Sequence, residues 1–254
     1  MIEKHAMDRI HSAVGKTVVA CAAMWALASP TLAQPTDMQN CMQEDFSPIA
    51  VRACSAVLSA PGLSASDTVR VYTRRGRAWM MEEDSAAAEE DFSHVLAVEP
   101  KNSEALQGRA LALTAQAKHI AAVEDWTRMI DLYPAHDEYY RNRAASFLAA
   151  GKHAEALDDY AQSLKINPKG VEANIGRASV YEAMNDREKT LKEFELAIAV
   201  QPDFLPIYWA RAQTAERWGE KDFAIQNYVQ VLKINGVYAH ARKALVRLGI
   251  MTPP

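Results

Sequence analysis

The chain has 254 residues, of which 49% are hydrophobic and 24% charged, and its formal charge is −4. This is an ordinary globular composition for one or two domains, and 10 glycines with 11 prolines are too few for a collagen-like or disordered chain. The acidic balance disfavours nucleic acid as a partner, since the densest basic cluster, Arg70, Arg74, Arg75 and Arg77, is only local.

The first 33 residues read as a leader. Lys4, Arg9 and Lys16 make a positive start, Thr17 to Ala28 is an apolar run, and Thr31-Leu32-Ala33 offers small residues at −3 and −1 of a cleavage site. The run is too short to span a bilayer, which takes about 20 apolar residues. Cleavage is expected after Ala33, with Ala28 as the second position, and the protein is expected to be periplasmic or secreted without stable membrane insertion. A lipoprotein reading of Val18–Cys21 is disfavoured, because Lys16 leaves little apolar stretch before the cysteine. Removing 1–33 takes away three of the 28 Lys/Arg and two of the 32 Asp/Glu, leaving 25 and 30 and a net charge of −5. Cys41 and Cys54 then remain as an even pair, which in an exported chain predicts a disulfide.

Ser47 followed by Pro48 predicts an N-cap and a proline at the first position of a helix. Together with 37–45 this helix makes a hairpin, one cysteine on each arm. A bond between them closes a loop of about 14 residues, worth roughly 3 kcal/mol by chain entropy. The stretch 60–66 connects the hairpin to the rest of the chain, so 34–68 forms one N-terminal segment.

From residue 69 the chain repeats. Pro100, Pro134, Pro168 and Pro202 are spaced by 34, and Gly236 holds the fifth place. The phrase Leu-Lys-Ile-Asn occurs at 164–167 and again at 232–235, each time before the breaker. Gly76, Ala110, Ala144, Ala178 and Ala212 supply one small residue per period, and Phe92, Trp126, Tyr160, Phe194 and Tyr228 one aromatic. Within 137–170, apolar residues recur at helical spacing on both sides of Gly151, so each unit predicts two helices and a turn. Proline then ends the second helix, because it cannot continue the backbone ladder and restricts the residue before it.

Period, two-helix unit, small–aromatic pattern and terminal proline together resemble the tetratricopeptide repeat (TPR) family. The resemblance covers five repeats, 69–102, 103–136, 137–170, 171–204 and 205–238. It implies an all-α, right-handed TPR solenoid of antiparallel helix pairs. Thr190 stands where the family usually has alanine, and Val95, Met129 and Val231 stand where it prefers a small residue. The remainder, 239–254, reads as an amphipathic capping helix and tail, with Ala241, Ala244, Leu245 and Leu248 on one side and Arg242, Lys243 and Arg247 on the other.

Arg75, Arg109, Arg143, Arg177 and Arg211 also follow the 34-residue step, as do Asp91, Asp125, Asp159, Glu193 and Asn227. The pattern could be a ladder for an acidic ligand. Ion pairs within each repeat are the expected reading, with Arg211 freer because Asn227 carries no charge.

The resemblance places ligands on the concave face of the first helices. Arg70, Thr73, Arg77 and Met80 line it in the first repeat, and Gln107 and Leu111 in the second. Arg141 represents the third, Ile175 and Ser179 the fourth, and Trp209 and Gln213 the fifth. The groove is basic and methionine-rich at its N-terminal end and more acidic further on, through Glu104, Glu138, Glu172 and Glu182. Methionine suits adaptable apolar contact, and an exposed Trp209 would be a natural anchor. The pattern does not match the basic clamp that grips chaperone C-termini.

No catalytic residue, cofactor or metal site is expected. His119 and His153 fall at exposed turns, and no phosphate loop, nucleophile elbow or His-Glu-x-x-His motif occurs. The expected function is non-catalytic binding of a protein or peptide, as a helix or extended segment in the groove. The alternatives are a scaffold acting through its convex face or caps, and an enzyme or carrier with a site in 34–68.

Overall fold

The computed structural model describes residues 35–43 and 48–250. The leader with both cleavage positions, the N-cap Ser47 and the tail after 250 lie outside the described residues. Within them the chain is all-α: thirteen helices and no strand. α1 (Pro35–Met42) and α2 (Pro48–Ser59) form the N-terminal hairpin. α3 (Ala65–Met81) pairs with α4 (Ser85–Val98), α5 (Ser103–Ala115) with α6 (His119–Leu132), and α7 (Asp137–Ala149) with α8 (His153–Ile166). α9 (Val171–Ala183) pairs with α10 (Arg187–Val200), and α11 (Leu205–Arg217) with α12 (Lys221–Ile234), before α13 (Ala239–Arg247) closes the series. From α5 onward every first helix begins 34 residues after the last, at 103, 137, 171 and 205, and α13 takes the next step at 239. α3 begins one turn ahead of residue 69, because Ser64 caps it by accepting from the Asp67 N–H at 3.0 Å.

The turn inside each repeat has one conformation written with several residues. Glu83, Ala117, Gly151, Asn185 and Gly219, again 34 apart, all have φ between +58° and +77°. In this left-handed region a residue ends one helix and turns the chain into the next. Gly151 adopts it without steric cost, and it is the turn that the sequence announces. Glu83 and Ala117 adopt it against their side chains. Asp84 and Asp186 then cap the second helices through the N–H groups of Ala87 and Lys189.

The small and aromatic positions build the core. Ala110, Ala144, Ala178 and Ala212 are fully buried, and so, nearly, are Phe92, Trp126, Tyr160, Phe194 and Tyr228. Rings also reach the following repeat, which the period alone does not reveal. A β-carbon added at Gly108 would lie 2.4 Å from the Phe92 ring, and one at Gly176 would lie 2.2 Å from Tyr160. Each of these rings is thus clamped between its own repeat and the next, and so the helix pairs stack in order.

Both ends are closed. Cys41 and Cys54 are disulfide-bonded with Cα atoms 4.7 Å apart, and both are buried against Val57 and Val71. Arg74 Nε donates to the Cys41 carbonyl at 3.2 Å, tying the hairpin to the first repeat. At the other end Ala241, Ala244 and Leu245 of α13 are buried with Tyr208, Ala212 and Tyr228.

Candidate partner-binding groove

The repeated arginines are structural. Arg75 grips Asp91 with two bonds (2.8 and 2.7 Å), Arg109 grips Asp125 (2.8 and 2.7 Å), and Arg143 grips Asp159 (2.7 and 2.8 Å). The remaining amino group of each reaches backwards, Arg75 to Ser55, Arg109 to Ser93 and Arg143 to Thr127. Each arginine therefore fastens three helices. Its bonds to the carboxylate hold all three guanidinium groups above their ordinary pKa.

The last two rungs differ. Glu193 meets Arg177 through a single bridge of 3.0 Å and also accepts from Asn174, and Arg177 Nε is buried without a hydrogen-bond partner. Arg211 donates to the Asn227 amide oxygen at 2.6 Å and lies over the rings of Tyr208 and Phe223. It has lost a carboxylate, as expected, yet it is not free. Packing holds it, and burial lowers its pKa.

The predicted groove residues fall into three kinds. Arg70 and Leu111 face solvent, Leu111 at 44% exposure and Arg70 paired with Asp67 one turn away. Met80, Gln107, Ile175, Ser179 and Gln213 are half-buried, Ile175 packing beside Val171 and Phe194. Others are committed to the fold. Thr73 is buried and its hydroxyl donates to the Val69 carbonyl, a bond within its own helix. Arg141 leans on Asp137 at 3.4 Å, and Arg77 joins Glu104 at 3.0 Å, bridging the first two repeats. Likewise Glu182 takes two bonds from Arg217 across the fourth and fifth repeats. Much of the expected charge contrast is therefore satisfied internally.

Trp209 corrects the picture of an exposed anchor. It is half-buried in an aromatic group, 5.3 Å from Tyr228, 5.5 Å from Tyr238 and 6.1 Å from His240 between ring centres. The chain entering α13 folds over it, a contact that the fifth repeat alone does not disclose.

Two hollows open on the groove register. One, of about 370 Å³, is lined by Arg70, Thr73 and Arg77 with Met42, Arg74 and Glu104 among its other walls. The other, of about 330 Å³, is lined by Trp209, Gln213 and Glu216 of α11, Tyr228 of α12, and His240, Lys243, Ala244 and Arg247 of α13. The α13 residues lie beyond the five repeats expected from the sequence and so stand outside the groove residues named from it. Their signal is present in the period, because 206, 209 and 213 plus 34 give 240, 243 and 247.

Among the described residues no group of three or more His, Cys, Asp or Glu is placed to hold a metal ion. His119 and His153 are half-buried at helix starts rather than exposed. No described helix is long and apolar enough to cross a membrane.

No family model and no curated protein matches this sequence. Solved structures do. A TPR protein from Parabacteroides merdae superposes at TM-score 0.61 and 17% identity over 80% of this chain and 92% of its own. The thermophilic TPR protein TTC0263 of Thermus thermophilus gives 0.59 and 20% identity, over 72% of this chain and all of its own. MamA gives 0.51 and 20% identity, over 66% of this chain and 96% of its own. With the 34-residue pairs, the shared turn and the clamped rings, these likenesses establish that the chain folds as a tetratricopeptide-repeat solenoid.

Proposed function

We propose that this is an exported, non-catalytic adaptor that holds a helix or extended segment of a partner protein along the first helices of its repeats. The observation that carries the reading is the position of the two hollows. Both lie on the groove register, at its two ends, and between them Leu111 is an exposed apolar side chain on the same register. An extended surface with separated anchor points suits a segment better than a compact substrate. Export rests on the leader pattern of 1–33 and on the Cys41–Cys54 disulfide, which persists in oxidising compartments.

The test is in-cell crosslinking of the tagged chain beside Arg70→Glu with Leu111→Glu, two substitutions at exposed positions that spare the core. A partner captured by the wild-type chain and lost by the folded double variant is the expected result. A partner kept by both would move binding to the second helices or the ends, where Leu196 and Val200 form an exposed apolar pair one turn apart. That outcome is the scaffold reading.

A further inference from the structure

The C-terminal helix has two faces with different duties. Ala241, Ala244 and Leu245 of α13 are buried and close the fifth repeat. His240, Lys243 and Arg247 stand at the places that the second, fifth and ninth residues of a first helix occupy in the preceding repeats. α13 is therefore the first half of a sixth repeat, and its other face continues the groove. All three of these residues are exposed and all three line the second hollow.

The chemistry of that hollow is specific. Part of its lining is aromatic: Trp209 of α11 lies beside Tyr228 of α12 and His240 of α13, and Tyr238, outside the hollow, packs against Trp209. Its single carboxylate, Glu216, is already engaged: Arg247 donates to both oxygens at 2.8 and 2.7 Å, and the Tyr228 hydroxyl donates at 2.8 Å. Lys243 has no ion-pair partner among the described residues. The hollow thus combines an aromatic wall, one neutralised acid and an uncommitted ammonium group. The first hollow differs, because its exposed arginines face Asp67 and Glu104.

We infer that this hollow receives an acidic side chain carried beside an apolar or aromatic one on the partner's segment. The apolar group packs against Trp209 and the carboxylate turns to Lys243. The inference rests on the groove reading and adds direction to it, since the acidic end of the bound segment would lie at α13. Charge complementarity selects this occupant. A basic segment would be repelled by Lys243, whose charge nothing in the hollow offsets, and a neutral one would gain nothing from it.

Two blocked hexapeptides serve as probes, Glu-Glu-Phe-Leu-Glu-Glu and its isosteric control Gln-Gln-Phe-Leu-Gln-Gln. Each is titrated into the ¹⁵N-labelled chain, and the Trp209 indole N–H is followed, assigned by its loss in Trp209→Phe. The acidic peptide should shift this signal saturably and bind at least tenfold more tightly than the control. Lys243→Glu should weaken it at least tenfold while Lys243→Arg retains it, with unchanged thermal melting in both because Lys243 supports no other group. Equal binding of the two peptides, or indifference to Lys243→Glu, would overturn the inference. Shifts confined to Arg70 and Leu111 would also overturn it, yet leave the groove reading standing.

Discussion

The first three repeats and the last two are built on one plan and fastened differently. In the first three, an arginine meets an aspartate with two parallel bonds and turns its remaining donor to the preceding helix. In the fourth, the longer Glu193 divides itself between Arg177 and Asn174. In the fifth, the carboxylate is an amide, and the residue 16 places before Arg211 is the exposed Glu195 rather than a bonded serine or threonine. Between the fourth and fifth repeats the outermost link, Arg187 with Glu220, is exposed and screened by salt, while the half-buried Glu182 accepts from the buried Thr214 hydroxyl and from the exposed Arg217. A 34-residue period thus fixes geometry more strictly than it fixes the strength of each joint, so the C-terminal repeats should open first.

The sharpest way to break this comparison is to remove one arginine from each region. Arg143→Ala leaves the buried Asp159 without its partner and should cost about 3 kcal/mol in urea denaturation. Arg211→Ala removes one bond to an amide and the stacking on Tyr208 and Phe223, and should cost about 1.5 kcal/mol. Equal losses would show the two joints to be equivalent.

Alkali offers a second probe. Burial pushes the Tyr160 hydroxyl up to about 12, and burial with a bond to Glu216 raises Tyr228 as well. A raised folded-state pKa means that the stability from the neutral phenol is whole below about pH 10 and is lost as pH rises toward about 12. Loss on the order of 2 kcal/mol across that window is expected from Tyr160, and Tyr160→Phe should remove this part of the slope. The equivalent residues Phe92, Trp126 and Phe194 do not titrate, so the ring position adds to this alkaline loss only in the third and fifth repeats.

Asn227→Asp should narrow the gap between regions by restoring the missing carboxylate opposite Arg211. A gain of about 1 kcal/mol is expected, with slower hydrogen exchange confined to α11–α13. A loss would mean that the Asn227 amide, which also donates to the Phe223 carbonyl, matters more than charge. The smallest effect belongs to the turns. Gly151→Ala should cost about 1 kcal/mol, and Ala117→Gly should gain roughly half as much, because both residues share one left-handed conformation. Thermal melting of the pair checks it.

Much of the fold was legible in the chain. The prolines, the small residues and the rings placed the helix pairs, and the 34-residue step paired four of the five arginines with an acid and the fifth with Asn227. The turn was legible only where glycine marked it. At Glu83 and Ala117 nothing in the residue type signals a positive φ, because the surrounding repeat imposes it. The groove was legible as a register and not as a surface. Thr73 and Leu111 occupy related places in that register, yet one is buried in its own helix bond and the other is open.

By itself, the sequence determined the period, the pairing of helices, the identity of the ring buried in each repeat and the cysteine pair. These follow from local spacing, which a helix converts into a face by its fixed turn of about 3.6 residues. Only the tertiary structure decided which groove residues remain available. It drew Arg77 to Glu104, folded Tyr238 and His240 around Trp209, and set Lys243 at the edge of a hollow. Those outcomes depend on which side chains from neighbouring repeats come within reach of one another, and a one-dimensional pattern carries no distance between side chains on different helices.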